Sequence, residues 1–157
     1  ALNHSTWSTC PFNNGSSSYD SAYFESVRST VCPNDILAPE HDAVYQETGG
    51  WLKLPTNADI QELIDNTTSE YVQDYNGVSG LNGRLFTSNI NGNTLFIPAS
   101  GDVWGGSFYF VGDWSNVWSS RLNSANPGCA YYLSCNSNQA NLYSSDRCNG
   151  FALRGIM

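Results

Sequence analysis

The sequence predicts an α+β domain in which two helices are followed by a run of antiparallel strands. Three observations support this prediction: a capped amphipathic segment after residue 56, a hairpin centred on Asn91-Gly92, and short β-type blocks separated by Gly, Pro and Asn in the C-terminal half. The 157 residues, 40% hydrophobic and 13% charged, suit one ordered domain with its own core. We expect an irregular N-terminal extension over residues 1–34 and a domain over 35–157, which together make a single compact domain overall.

Two cysteines lie at either side of a weakly apolar stretch in the N-terminal extension. Cys10 and Cys32 bracket residues rich in Ser, Asn and Gly that have little capacity to form a core. A disulfide between them would order this stretch and would imply an oxidising compartment, whereas the alternative is a pair of free thiols. We expect the disulfide.

The remaining cysteines do not form a recognisable metal motif. Cys129, Cys135 and Cys148 show no C-x-x-C spacing, and His4 and His41 are the only histidines in the sequence. We therefore expect no zinc site, no other metal and no cofactor. Because it lies in an alternating block, Cys135 also fits the role of a small core residue.

Two helices are predicted before residue 66. Residues 39–50 begin with Pro, carry acidic residues in their first turn and end in Gly-Gly, which is typical of a short helix. Residues 50–55 then predict a strand. In the second helix Thr56 is the N-cap and Asp59 the capping-box partner, and the apolar face consists of Ile60, Leu63 and Ile64. We expect that face to pack on the sheet.

Strands account for most of the rest of the chain. Residues 84–88 and 94–98 flank Asn91-Gly92, a pair that adopts the positive backbone angles of a tight hairpin turn. Further strands are predicted over 117–120, 130–135, 139–143 and 150–156, with turns at Asn126-Pro127-Gly128 and Asn136-Ser137-Asn138.

Charge is distributed unevenly and excludes several kinds of partner. The net charge of −8 arises before residue 101, where eleven acidic residues meet only Arg28, Lys53 and Arg84. A chain with a pI near 4.3 repels polyanions, so we expect no nucleic-acid partner. The apolar runs are too short to cross a bilayer, so we expect no direct membrane insertion.

Residues 94–157 combine regular blocks with a recognition-type composition. Between the β-type blocks lie Asn, Ser, Tyr, Phe, Trp and Asp residues that no packing rule requires. Tyr and Trp offer large contact area at low side-chain entropy, while Ser, Gly and Asn offer adaptable hydrogen bonds, as in antibody paratopes. This half of the chain therefore predicts a scaffold that presents a binding surface.

A family resemblance supports this interpretation. The stretch GGWLKLPTNADIQELID resembles the opening of the Fibrobacter succinogenes major paralogous domain, and NGNTLFIPASG, VG (111–112), WSS (118–120), AYYL (130–133) and the R-x-x-G-F-x-hydrophobic-R block (147–154) resemble the rest of it. That family resembles C-type lectin-fold domains, among them the variable proteins of diversity-generating retroelements. The resemblance covers residues 35–157 and implies a C-type lectin-like fold of two helices with an antiparallel sheet and hairpins.

The resemblance separates framework positions from displayed positions. The framework positions are Gly101, Gly105, Gly106, Val111, Gly112, Trp118, Ser119, Ser120, Ala130, Tyr131, Tyr132, Leu133, Arg147, Gly150, Phe151 and Arg154. The displayed positions, which are the predicted binding residues, are Asp102, Val103, Trp104, Ser107, Phe108, Phe110, Asp113, Trp114, Asn116, Arg121, Cys135, Tyr143, Ser144, Ser145, Asp146 and Cys148. The chain departs from the family pattern at Leu52-Lys53 and Gly155-Ile156.

Several of these residues also have ordinary structural explanations. The strand aromatics Trp118, Tyr131 and Tyr132 are expected to pack on the sheet, and Arg154 to donate hydrogen bonds to buried carbonyls. Asp102, Asp113 and Asp146 could equally stabilise turns or contact a ligand. By contrast, four large aromatics within eleven residues do not follow strand alternation and are expected to be exposed: Trp104, Phe108, Phe110 and Trp114.

Sequence motifs for catalysis and for calcium-dependent sugar binding are missing. There is no G-x-S-x-G, H-E-x-x-H or phosphate-loop pattern, so we expect no enzymatic activity; the related fold does host formylglycine-generating enzymes, which stay the less favoured alternative. Asn126-Pro127-Gly128 lacks the flanking carboxylates of a calcium-dependent lectin. A metal-independent carbohydrate-binding lectin, with a sugar stacked on Trp104 or Trp114, is the other alternative.

We therefore expect a ligand-binding protein of the receptor or adhesin type that displays a hypervariable C-terminal surface to a macromolecular target, a protein or a glycan. The expected location is extracellular, on a cell surface or on a virus particle. Diversification by a retroelement is expected to be adenine-directed. Trp104, Trp114 and Gln139 cannot arise in this way from Asn codons, so they are fixed or derive from other templates.

Overall fold

The computed structural model describes residues 5–157, and these residues form the α+β fold that the sequence predicts. His4 lies outside the described residues. Within the described range the helices are α1 (Ser21–Val31), α2 (Ala43–Glu47) and α3 (Asn57–Asp65). The strands are β1 (Thr67–Val72), β2 (Gly83–Ser88), β3 (Thr94–Pro98), β4 (Asp102–Trp104), β5 (Ser107–Tyr109), β6 (Ser115–Leu122), β7 (Cys129–Cys135) and β8 (Ala140–Asp146).

The N-terminal segment is more regular than expected, because helix α1 occupies a third of residues 1–34. The Asp20 side chain caps this helix by accepting a backbone N–H of its first turn. Phe24, Val27 and Val31 recur at helical spacing, and Phe24 and Val31 are buried in a cluster with Leu122 of β6. The expectation of an irregular segment is therefore wrong over α1, since its Ser-rich composition conceals a short apolar face.

The predicted Cys10–Cys32 disulfide is wrong, because both residues are buried free thiols. A polar network orders the segment in place of a crosslink. The side chain of Asn13 is completely buried, and its Oδ1 accepts a hydrogen bond from the backbone N–H of Asp20 at 2.7 Å. Its Nδ2 donates at 2.7–3.2 Å to the backbone carbonyls of Trp7, Ser16 and Ser18.

The region predicted as a helix and strand over 39–55 is shorter and less regular than expected. A 3₁₀ turn over Pro39–His41 precedes α2, and the buried carboxylate of Asp42 caps α2. The same carboxylate accepts the backbone N–H of Leu54 at 2.7 Å. Residues 50–55 do not form a full strand, since their β-pairing is a single bridge between Lys53 and Ile156. The hydrogen bonds of the Asp42 carboxylate therefore tie this segment to the start of α2 in place of strand pairing.

Helix α3 confirms the capping-box prediction. Thr56 Oγ1 accepts the N–H of Asp59 at 3.3 Å, and the Asp59 carboxylate accepts the N–H of Thr56 at 2.7 Å. Ile60 is buried on the sheet side of this helix as predicted. The core cluster around it consists of Phe86, Ile97, Val117, Leu133 and Cys135.

The strands form three antiparallel sheets with the orders β1-β2-β3, β4-β5 and β6-β7-β8. The predicted hairpin of β2 and β3 is confirmed, with Thr87 opposite Thr94. The prediction of positive φ angles holds for Gly92, at 73°, but is wrong for Asn91. β6, β7 and β8 match the predicted strands closely, and both predicted turns are present as hydrogen-bonded loops. Strands β1, β4 and β5 escape sequence-based prediction because their residues are polar or their lengths are only three residues.

The C-terminal residues expected to form a strand over 150–156 make separate bridges to three parts of the fold. Gly150 pairs with Val103, Ala152 with Val117, and Ile156 with Lys53. Each bridge joins a different element, so this segment connects the hairpin β4–β5, strand β6 and the region before α3. Within residues 5–157 no helix combines the length and apolarity required to cross a membrane.

Candidate functional site

The candidate site is built on the hairpin of β4 and β5. Trp104 pairs with Ser107, and the turn between them is Gly105-Gly106, whose φ angles are 57° and 87°. Two successive residues with positive φ are typical of a type I′ hairpin turn, whose twist matches that of the strands. Glycine is the residue that adopts these angles without strain. The hairpin therefore carries its large side chains on a very short two-stranded support.

Large apolar side chains cover this hairpin and the loop after it. The exposed fractions are 64% for Trp104, 75% for Phe108, 41% for Tyr109, 55% for Phe110 and 63% for Val111. We call these five residues the aromatic surface. Single exposed apolar residues are common on protein surfaces, but clusters of them are not. A cluster of this kind is therefore typical of an interaction site.

Ring contacts join three members of the aromatic surface, Trp104, Tyr109 and Phe110, into a series, whereas Phe108, which is opposite Val103 in the hairpin, alternates to its other face. The ring centroids of Trp104 and Tyr109 are 6.3 Å apart, and those of Tyr109 and Phe110 are also 6.3 Å apart. Trp114, which was expected to be exposed, is half-buried, and it continues the series at 5.7 Å from Phe110. These distances lie within the range for attractive tilted aromatic pairs. The side chains therefore support one another laterally while their outer faces meet solvent.

Phe110 has an unusual backbone conformation for a bulky residue. Its φ is 55°, in the left-handed region that Gly, Asn and Asp occupy most readily. Its carbonyl accepts the N–H groups of Asp113 and Trp114, both at 3.0 Å, and these bonds hold the conformation. Strained residues of this kind cluster at functional sites, where the surrounding structure maintains a geometry that the residue alone would not choose.

The base of the aromatic surface is fixed to the framework. Tyr71 Oη and Asn82 Nδ2 both donate hydrogen bonds to the carbonyl of Gly112, the Asn82 bond at 3.2 Å. Val103 and Gly150 exchange two backbone hydrogen bonds, each 2.8 Å long. The exposed rings are thus attached to a base that is held from two sides.

Asp102 lies at the root of the hairpin and is half-buried. Burial raises the pKa of its carboxyl group, and the hydrogen bond that it accepts from Asn116 Nδ2 at 3.3 Å opposes this rise. Asn116 itself is buried, and its Oδ1 accepts a hydrogen bond from Ser134 Oγ at 2.9 Å. The carboxylate of Asp102 is therefore positioned by the sheet β6-β7-β8.

A second group of predicted binding residues lies on strand β8. Tyr143, Ser144 and Asp146 are exposed, and Ser145 is half-buried. The Tyr143 ring centroid is 6.4 Å from that of Tyr132. Burial raises the pKa of Tyr132, the hydrogen bond with Ser134 opposes this rise, and the nearby carboxylate of Asp102 adds to it. Tyr132 therefore lies between the hairpin root and the exposed part of β8.

The prediction of a binding role is wrong for three residues, because the structure buries them. Asn116, Cys135 and Cys148 are 3%, 1% and 5% exposed, so they do not reach a partner on the surface. Asn116 belongs to the hydrogen-bond network under Asp102, and Cys135 belongs to the core beneath α3. Burial raises the pKa of Cys135 to about 12 and that of Cys148 to about 11. Asn and Cys occur in both kinds of position, so composition did not distinguish them.

The other predicted binding residues divide by location. Ser107 and Asp113 are exposed beside the aromatic surface. Val103 is half-buried beneath it, next to Gly150. Arg121 is half-buried and forms a backbone bridge with Ile36, so it belongs to the junction with the N-terminal segment.

Framework assignments are partly confirmed. Trp118 stacks on Phe151 with centroids 4.4 Å apart, and Tyr132 lies 4.6 Å from the same ring, as expected for sheet packing. Arg154 is exposed, so its expected role as a donor to buried carbonyls is wrong. Arg84 has that role: it is 9% exposed and donates to the carbonyls of Ser69 and Asn136 at 3.0 and 3.1 Å.

Two exposed residues of the aromatic surface were missed by sequence reasoning. Tyr109 was not singled out, and Val111 was assigned to the framework, yet both face solvent. The signal for Tyr109 is its position between Phe108 and Phe110, since three successive aromatic residues cannot all point to one buried face of a strand. For Val111 the family resemblance outweighed this local pattern.

No family model matches the chain, no curated protein matches it, and no solved structure matches it. Within residues 5–157 no group of three or more His, Cys, Asp or Glu side chains is arranged to hold a metal ion.

Proposed function

We propose that this protein is a non-enzymatic ligand-binding protein that captures a macromolecular target, a protein in the first instance, through the aromatic surface. The observation that supports this most strongly is the exposure of five large apolar side chains on one hairpin and its following loop. An ordinary solvent-facing hairpin would carry polar residues there. We further propose a C-type lectin-like framework, on the sequence resemblance of residues 35–157.

The aromatic surface has the composition of an energetic centre in a protein interface. Trp and Tyr are enriched among residues whose truncation costs most binding energy, and large aromatics each bury about 150–250 Å² on contact. Trp104 and Phe108 are the two most exposed aromatic members of the surface. We expect these two rings to contribute most of the affinity.

Polar groups around the aromatic surface would give orientation and specificity. Ser107 and Asp113 are exposed beside it, and the half-buried Asp102 lies at its root. Together with a net charge of −8, these carboxylates favour a neutral or basic patch on the partner. The base of the surface is already held by framework hydrogen bonds, so binding would require little further ordering.

We also propose that the exposed positions vary between sibling proteins through retroelement-directed mutation, and that the protein works outside the cell or on a virus particle. Sequencing sibling genes tests the first point. Differences should concentrate at exposed positions such as Phe108, Phe110 and Tyr143, while the buried Asn116 and Cys135 stay constant. Differences spread evenly over buried and exposed positions would contradict diversification.

Selection of peptide and protein binders from a displayed library, combined with a glycan array, tests the proposed function. Binders selected on the intact protein should lose at least tenfold in affinity against a Trp104→Ala, Phe108→Ala variant, since each ring is worth roughly 1–2 kcal/mol or more in an interface. Trp51→Ala is the matched control, because Trp51 is 84% exposed but lies outside the aromatic surface. Equal losses in both variants would contradict the proposal, and glycan binding that depends on Trp104 alone would favour the lectin alternative.

A further inference from the structure

A cleft of about 320 Å³ lies between the N-terminal segment and strand β6, away from the aromatic surface. Its walls are mostly apolar and include Phe12, Leu37, Leu54, Trp118 and Leu122. This volume and this apolar character are typical of sites for small organic molecules.

The cleft has a distinctive charge. Arg121 and Arg147 both line it, although the whole sequence contains only six Lys and Arg residues. Its lining residues, all within the described range, include no Asp or Glu. Cys10 and Cys32 also line it, and burial raises the pKa of Cys32 to about 11, so this thiol is neutral at physiological pH. The cleft is therefore a positively charged apolar site in an acidic protein.

Arg147 forms no salt bridge with any of residues 5–157. In the described part of the chain both salt bridges belong to Arg28. The guanidinium carbon of Arg147 lies 4.0 Å from the ring centroid of Phe24, so its planar face is occupied by an aromatic contact. Its Nε and Nη2 atoms and the nearby Tyr19 Oη are buried and make no hydrogen bond of good geometry within residues 5–157, although Arg147 and Tyr19 lie close enough to interact.

A stacked guanidinium still directs its N–H groups outward in its own plane, which is the geometry in which Arg binds carboxylates. Arg147 lines a cleft whose lining residues within 5–157 include no carboxylate, and an anionic acceptor that enters the cleft would give its charge a partner. The apolar walls would at the same time shelter a hydrocarbon group from water. One ligand chemistry satisfies both requirements.

We propose that this cleft binds a small monocarboxylate with an apolar tail, of the medium-chain fatty acid class, whose carboxylate accepts hydrogen bonds from Arg147. Arg121 adds positive charge to the same cleft, and Phe12, Leu54 and Trp118 contact the tail. A tail of about eight carbons suits a site of this size. The site is independent of the aromatic surface.

Calorimetric titration of the intact protein with octanoate, and separately with octanol, tests the proposal. Octanoate is expected to bind with a Kd below about 1 mM and octanol at least about tenfold more weakly, because octanol fills the apolar walls but brings no negative charge. A fluorescence change of the cleft residue Trp118 should accompany binding. Failure of octanoate to bind at millimolar concentration, or equal binding of both molecules, would overturn the proposal.

Substitutions of the two cleft arginines test which of them binds the carboxylate. Arg147→Gln should weaken octanoate binding about tenfold or more and leave octanol binding unchanged, and Arg121→Gln should weaken octanoate less. Arg154→Gln is the matched control, since Arg154 is exposed and does not line the cleft. Because Arg147 packs on Phe24, the fold of the Arg147→Gln variant is also checked by circular dichroism. If this variant unfolds, the test rests on Arg121→Gln. Full octanoate affinity in Arg121→Gln would then overturn the proposal. Unchanged octanoate binding in the Trp104→Ala, Phe108→Ala variant separates this test from that of the target-binding surface.

Discussion

At the scale of single residues, burial determines which polar side chains of the C-terminal half are available to a ligand. Asn116 and Asp113 are both small polar residues in a stretch with recognition-type composition, yet the first is buried and the second is exposed. Asn116 is buried because its amide links Asp102 to Ser134. A hydrogen-bond network of this kind requires contact between residues of three different strands, so no local sequence pattern predicts it.

Asp102 should make stability depend on pH. Burial raises the pKa of its carboxyl group in the folded protein above that of the unfolded chain. The folded state therefore binds the proton more tightly, so this contribution to stability is fully present below the unfolded-state pKa and is lost as pH rises through the folded-state value. Asp102→Asn keeps an acceptor for Asn116. The free energy of unfolding of this variant, relative to that of the wild type, should be higher at about pH 7 than at about pH 3.5. Urea unfolding at both pH values measures this, and a pH-independent difference would contradict it.

The thiols should differ in reactivity. Cys129 is half-buried, whereas the other four cysteines are buried, and burial raises the pKa of Cys135 to about 12. Burial and the neighbouring Asp146 also raise the pKa of Cys129, so its labelling should be slow at neutral pH but should precede that of the others. Mass spectrometry after iodoacetamide treatment of the native protein should find one modified site, and Cys129→Ser should remove it. Earlier labelling of Cys135 would show that the core opens.

At the scale of elements, the hairpin β4–β5 with its following loop and strand β8 carry most of the exposed aromatic residues, and helix α3 contributes Ile60 to the core. Helix α3 was predicted with its correct cap because the capping box and the apolar spacing are local signals. The hairpin was not predicted as two strands, since three-residue strands around Gly105-Gly106 leave too few residues to show alternation. Its aromatic content was recognised, but its exposure follows from the absence of packing partners over it in the described fold.

Replacement of two exposed aromatics should leave the fold intact. Trp104 and Tyr143 are 64% and 42% exposed, so Trp104→Ala with Tyr143→Ala should change the free energy of unfolding by less than about 1 kcal/mol. Phe86→Ala is the comparison, because Phe86 is 1% exposed and its truncation should cost about 3–5 kcal/mol. Denaturant unfolding of the three proteins measures both. A loss of several kcal/mol in the double variant would place its two residues in the core.

At the scale of the whole molecule, two apolar clusters hold the elements together. One lies between α3 and the sheets, around Ile60 and Phe86. The other joins helix α1 to the end of β6 through Phe24 and Leu122. The division at residue 34 into an extension and a domain stays a prediction, but the second cluster shows that α1 packs against strand β6.

Phe24→Ala tests whether that packing stabilises the entire fold. Phe24 is completely buried, so its truncation should cost about 3–5 kcal/mol and lower the midpoint of a single cooperative transition followed by all probes. Phe108→Ala is the matched control, because Phe108 is 75% exposed and should change stability by less than about 0.5 kcal/mol. Two separate transitions in the Phe24 variant would show that the N-terminal segment unfolds independently of the sheets.

The sequence by itself determined the α+β class, the capped helix α3, the hairpin of β2 and β3, and the aromatic composition of the region around Trp104, because caps, turns and periodicity act over a few residues. Only the tertiary structure decided that Asn116, Cys135 and Cys148 are buried, and that Cys10 and Cys32 remain thiols. It also decided that Arg121 and Arg147 face one cleft. Burial and charge environment arise where residues distant in sequence come into contact, and the free energy of those contacts cannot be predicted from any short stretch of the chain.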